Sequence, residues 1–128
     1  MDTSQLVEWV NQLRYLPHEM ACVEFKRNWD DANDIAQYIS ALANSAALEG
    51  KERAWMVWGI DDVTHEVTGT DFSPATAKGK GNQPLQIWLA HRITPTSDFH
   101  FHEVTHPKGR IIVLEIFPAR IAPPEAVK

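Results

Sequence analysis

Seven consecutive residues, Ala54-Trp55-Met56-Val57-Trp58-Gly59-Ile60, carry no polar side chain. A strand wetted on one face alternates apolar and polar, whereas a strand covered on both faces reads as an unbroken apolar run. This run is therefore expected to be the central strand of a sheet with packing layers on either side. Its neighbours follow from the same kind of reading. Asp2 to Gln5 offers helix-capping side chains before Leu6, Val10 and Leu13, and the helix is expected to end near Arg14, ahead of Pro17. Ala21 to Lys26 reads as a short strand. Asp30, Asp31, Asn33 and Asp34 crowd the start of a helix with Ile35, Ile39, Leu42 and Ala46 on its apolar face, and Gly50 is placed to end it. Asp61 to His65 reads as a turn, and Glu66 to Gly69 as an antiparallel return strand. Thr70 to Asn82 lacks periodicity and reads as a loop. Pro84 opens a helix whose apolar face is Leu85, Trp88, Leu89 and Ile93. Two strands follow, Phe99 to Thr105 and Arg110 to Phe117, joined by a Pro107-Lys108-Gly109 turn. Hairpins and crossovers both occur, which predicts an α+β fold: a single mixed, largely antiparallel sheet with about three helices packed on it.

At 128 residues the chain is expected to be one domain, 1–128, with 118–128 as an extended, proline-containing tail. The net charge is −5, but it is unevenly spread. Residues 1–77 hold 5 Lys/Arg against 13 Asp/Glu, and residues 78–128 hold 7 against 4. The acidic total argues against a nucleic-acid footprint over the whole surface and leaves room for a basic patch in the second half. No apolar run reaches the roughly 20 residues of a membrane span, and the N-terminus lacks the basic start of a secretory signal. Cys22 alone cannot make an internal disulfide, so a reducing, cytoplasmic setting and no membrane partner are expected.

Three groups of residues carry potential chemistry. Glu19, Glu24, Asp61 and Asp62 lie near the ends of expected neighbouring strands; carboxylates converging there hold a divalent cation that activates water for phosphodiester cleavage. The alternative is that Glu19 is a solvated loop residue, that Glu24 pairs with Lys26 or Arg53, and that the aspartates form a turn. Lys26, Arg27, Lys78, Lys80, His91 and Arg92 are candidate phosphate contacts, although Lys78-Gly79-Lys80-Gly81-Asn82 is no phosphate-loop motif. His100, His102 and His106 match no common zinc spacing and are read as surface histidines. Trp55, Trp58 and Trp88 are expected in the core, which leaves Trp29 as the aromatic placed for exposure. Cys22 is read as core rather than nucleophile.

Val23-Glu24-Phe25-Lys26, then IAQYISALANSA, then WMVWGIDDVTHEVTGTDF together resemble the Schlafen AlbA-like domain found at the N-terminus of many bacterial transcriptional regulators. The matching residues are Glu24, Phe25, Lys26, Ile39, Ala41, Ala43, Asn44, Gly59, Asp61, Asp62, Val67 and Gly69, and the later NQPLQIWL and IIVLEIFPARIAPP segments extend the likeness from about Glu19 onward. One departure is the Ser45 to Arg53 connection, longer than the family's and without its usual Gly-Gly pair. The resemblance implies a DNA-binding module of a transcriptional regulator, with nucleic acid as partner, DNA before RNA, and no cofactor. It also implies an alternative: RNA-cleaving Schlafen proteins use a carboxylate triad, whose Glu-x4-Glu spacing Glu19 and Glu24 match, with Asp61 or Asp62 as third acid and magnesium or manganese as metal. Binding stands ahead of catalysis in this reading. A protein-interaction or dimerisation domain, including a homodimer, is the third class. Further domains are expected beyond the tail.

Overall fold

The computed structural model describes residues 2–15, 22–93 and 98–120. Its elements are α1 (Thr3–Arg14), β1 (Val23–Lys26), α2 (Ala32–Leu48), β2 (Ala54–Trp58), α3 (Leu85–Ile93), β3 (Phe99–His106) and β4 (Gly109–Ile116), with a single 3-10 turn at Lys80–Asn82. The four strands form one mixed sheet in the order β1-β2-β4-β3. β1 runs parallel to β2, and β4 pairs antiparallel with both β2 and β3. A parallel neighbour requires a crossover, and α2 supplies it. The fold is therefore α+β, as the sequence predicts.

The unbroken apolar run is central and buried throughout. Ala54, Met56 and Trp58 face a core shared with α2 and α3, while Trp55, Val57 and Ile60 face a core closed by Leu6, Val10 and Leu13 of α1. Polar residues at either set of positions would be buried without partners, which explains the absence of alternation.

Both long helices are terminated by chemistry visible in the sequence. At the start of α1, Asp2 Oδ1 accepts the Gln5 N–H (2.8 Å) and Gln5 Oε1 accepts the Asp2 N–H (2.9 Å), a reciprocal cap. Asp31 Oδ1 caps α2 by accepting the Asp34 N–H (3.0 Å). At its other end the Gly50 N–H reaches Ala47 O (3.4 Å) and the Lys51 N–H reaches Ala46 O (2.8 Å), with Gly50 at φ +66°. That is a Schellman ending, and it needs a residue tolerant of left-handed backbone.

The expected return strand at Glu66–Gly69 is not formed. A single bridge joins Ile60 to Val67, and the chain then wraps across the strand ends. Gly59 O accepts the N–H groups of Thr68 (2.7 Å) and Gly69 (3.1 Å), and Arg110 O accepts that of Thr70 (2.9 Å). Arg110 Nη1 donates to the carbonyls of Thr70 (3.1 Å) and Phe72 (2.6 Å), and Asn28 Oδ1 accepts the Thr70 hydroxyl (2.6 Å) and the Asp71 N–H (3.0 Å). Side chains from distant elements thus satisfy the backbone of Thr70 to Phe72, while Glu66 to Gly69 bond back to Asp61 and Gly59.

The histidine reading is corrected at one position. His106 is buried, not superficial. Its Nδ1 accepts the Lys108 N–H (3.0 Å), so Nε2–H donates to Asn11 Oδ1 (2.7 Å), which also accepts from Arg14 Nη1 (2.9 Å). Burial, with Arg14 and Lys108 nearby, holds its pKa below the ordinary histidine value. His102 lies beside Glu115 (3.1 Å) and His100 against the Phe117 ring, so the three do not converge. Among the described residues no helix is long and apolar enough to cross a membrane.

Candidate nucleic-acid interface

β1 is an edge strand of four residues, and its alternation sorts structure from chemistry. Val23 and Phe25 enter the α1-side core. Glu24 and Lys26, with the opposite parity, are half-buried on the α2 side. Lys26 Nζ lies 3.6 Å from Glu24 Oε1 and 4.7 Å from the centre of the Tyr38 ring. Burial disfavours its charge, but the interactions with Tyr38 and Glu24 outweigh this and raise its pKa. Lys26 is therefore a fixed cation on an aromatic face.

Beyond it the chain turns outward at Trp29, which is 54% exposed. Its indole Nε1–H donates to Asp34 Oδ2 (2.7 Å), and its backbone carbonyl accepts from the Nε1–H of buried Trp58 (2.6 Å). Both ends of the residue are thus held. Lys26, Trp29, Asp34, Gln37, Tyr38 and Ala41 line an open groove of about 470 Å³. Gln37 also belongs to a second groove of about 380 Å³ on the other flank of α2, with Asn33, Ala36, Ser40, Arg92 and Ile93.

Arg92, at the end of α3, stacks 4.5 Å above the ring of buried Trp88. The Lys78–Asn82 loop packs on the same tryptophan. A Cβ added to Gly79 would sit 2.5 Å from Trp88 Cβ and Cγ, so only glycine allows this approach. Lys78, Lys80, His91 and Arg92 are exposed around this anchor. The six basic candidates thus divide. Lys26 borders the first groove, Arg92 the second, Lys78 and Lys80 ride the loop seated on Trp88, and His91 lies beside Arg92 on α3. Arg27 is exposed next to β1, close enough for its charge to act on Asp61.

Two of the four carboxylate candidates have partners within the fold. Glu24 pairs with Lys26, while Arg53 goes to Glu115 (2.9 Å). Asp61 Oδ1 accepts the N–H groups of Val63 (2.9 Å) and Thr64 (2.8 Å), closing the turn, and these bonds lower its pKa. Asp62 is exposed, and Glu19 lies outside the described residues. Among the described residues no group of three or more His, Cys, Asp or Glu is placed to hold a metal ion, and Glu19, the fourth candidate, is not among them. Cys22 is buried, and burial together with Glu49 raises its thiol pKa, as suits a core residue.

Sequence reasoning passed over Asp34 and Tyr38 as site residues. The signal was present: positions 34, 38 and 41 recur at helical spacing, so they form one stripe of α2 beside its apolar face.

The DIP2311 protein of Corynebacterium diphtheriae is 18% identical with a TM-score of 0.41, over 94% of this chain and 23% of that one. The chain thus spans under a quarter of that protein's length. No curated protein matches. The family described as Schlafen, AlbA_2 matches residues 19–128, most of the sequence and every described element after α1. The chain belongs to the Schlafen AlbA_2 family.

Proposed function

We propose that this domain is a nucleic-acid-binding module of a transcriptional regulator, contacting its ligand through α2, α3 and the Lys78–Asn82 loop, with DNA ahead of RNA. One observation carries the reading. On a chain of net charge −5, the exposed face of α2 from Gln37 to Asn44 is uncharged (Gln37, Ser40, Ala41, Asn44), and the cations in the grooves on its two flanks are Lys26 and Arg92, each stacked on an aromatic ring. Small and amide side chains let a polyanionic ligand come close, and fixed cations at either flank favour its approach. Lys78 and Lys80 extend the same positive edge.

Titration of labelled duplex and single-stranded DNA at two salt concentrations tests this. Affinity is expected to fall steeply with salt, and a Lys78→Ala/Lys80→Ala/Arg92→Ala variant should show a slope reduced by about one per lost phosphate contact. Salt-independent binding, or none to either ligand, overturns it.

A further inference from the structure

We propose that the groove between Trp29 and Tyr38 is a seat for one unpaired nucleobase, so that the module prefers single-stranded over fully paired nucleic acid. This rests on the nucleic-acid reading above and assigns a ligand to one part of that surface. Trp29 is the starting point. The residue is 54% exposed and is tied at both ends, to Asp34 through its Nε1–H and to Trp58 through its carbonyl. A face that is open but already ordered costs little entropy when a planar ligand stacks on it.

The charges in the groove decide between base and phosphate. Asp34 lies beside the indole, and its carboxylate repels a phosphate while accepting hydrogen bonds from exocyclic amines and ring N–H groups. Gln37 adds a donor and an acceptor, and Lys26 a donor, so the edge of a stacked base meets both kinds of partner. Phosphates belong across α2, where Arg92 lines the adjoining groove without an acidic neighbour in that lining. Gln37, common to both grooves, marks the path from base to backbone. A base inside a duplex has both faces stacked and cannot enter.

Fluorescence anisotropy with a labelled single-stranded oligonucleotide and with the matching duplex separates the outcomes, using Trp29→Ala, Trp29→Phe and Arg92→Ala. Trp29→Ala is expected to weaken single-strand binding roughly 5- to 150-fold, the range of one lost base-aromatic stack. Duplex affinity should stay within about twofold, and Trp29→Phe should recover most of the loss because a ring is restored. Circular dichroism confirms that the exposed substitution leaves the fold intact. If Trp29→Ala leaves single-strand binding unchanged while Arg92→Ala weakens it, the base seat is overturned and nucleic-acid binding stands. Equal losses on duplex and single strand also overturn the seat, and absence of binding to either ligand removes both readings.

Discussion

Replacing Gly59 by alanine is expected to cost about 3 kcal/mol, and the reason lies in two separable terms. Gly59 follows β2 at φ +101°, a conformation that L-residues hold only under strain of about 1–3 kcal/mol. An alanine Cβ there would also lie 3.0 Å from the Arg110 carbonyl oxygen and 3.3 Å from Gly69 C. Both contacts are backbone, and Arg110 O is already committed to the Thr70 N–H, so relief requires moving β4 or the wrapped segment. Overpacking of this kind costs about 1–3 kcal/mol, while the stiffer unfolded chain returns about 0.4–1 kcal/mol. Gly50 isolates the first term: its φ is +66° and nothing lies within 4 Å of an added Cβ. Gly50→Ala should therefore cost about 1 kcal/mol. Urea unfolding followed by far-UV circular dichroism measures both costs, and in a thermal scan the Gly59 variant should melt about 6–8 °C below the Gly50 variant, as suits a domain of this size. If the two variants agree within about 0.5 kcal/mol, the close approach of the strand ends contributes nothing and the packing argument fails.

Further tests address other links. Because the native pKa of His106 is depressed below 6.5, the unfolded chain takes up its proton first as pH falls; stability is full above about 6.5 and declines below it until the native value is passed. Urea midpoints between about pH 5 and 7.5 should show this slope flattened in His106→Gln, and an unaltered slope would refute the assignment. Trp58→Phe removes the donor to Trp29 O and is expected to cost about 1–3 kcal/mol of stability, with weakened single-strand binding by a protein that remains folded. Unchanged binding would mean that Trp29 needs no such hold. Under the binding reading, magnesium or manganese should leave the melting temperature unaltered; a saturable rise abolished by Glu24→Ala would favour the carboxylate-centre alternative instead.

Much of the fold was legible because its signals are local or periodic. The Ala54–Ile60 run, the spacing of Ile35, Ile39 and Leu42, and Gly50 each specify their element directly. The segment after Asp62 was misread for a physical reason. Glu66-Val67-Thr68 has strand-like composition and does bond back to Asp61, Ile60 and Gly59, but from Thr70 onward the chain is held by Asn28 and Arg110, far away in sequence, and no spacing announces that diversion. The site divides in the same way. Trp29 stood out by lying between Asn28 and Asp30, outside any apolar pattern, whereas the clamp by Trp58 and Asp34 depends on how α2 crosses over. His106 was read as superficial because strand alternation is silent on whether α1 covers that end of the face.

The strand order also has a consequence for how the molecule assembles. Its sheet is two local pieces, a β1-α2-β2 unit and a β3-β4 hairpin closed by a tight turn at His106↔Gly109, joined along one seam where Ala54 meets Ile116. Each piece closes a short loop, while the seam joins segments on either side of the Lys78–Asn82 loop and α3, so its closure entropy is met last. Until then the most apolar edges in the chain, those of β2 and β4, stand open together. Closing the seam is thus expected to be the slow step of assembly, and lengthening the Lys78–Asn82 loop should slow refolding in a stopped-flow measurement while leaving unfolding unchanged.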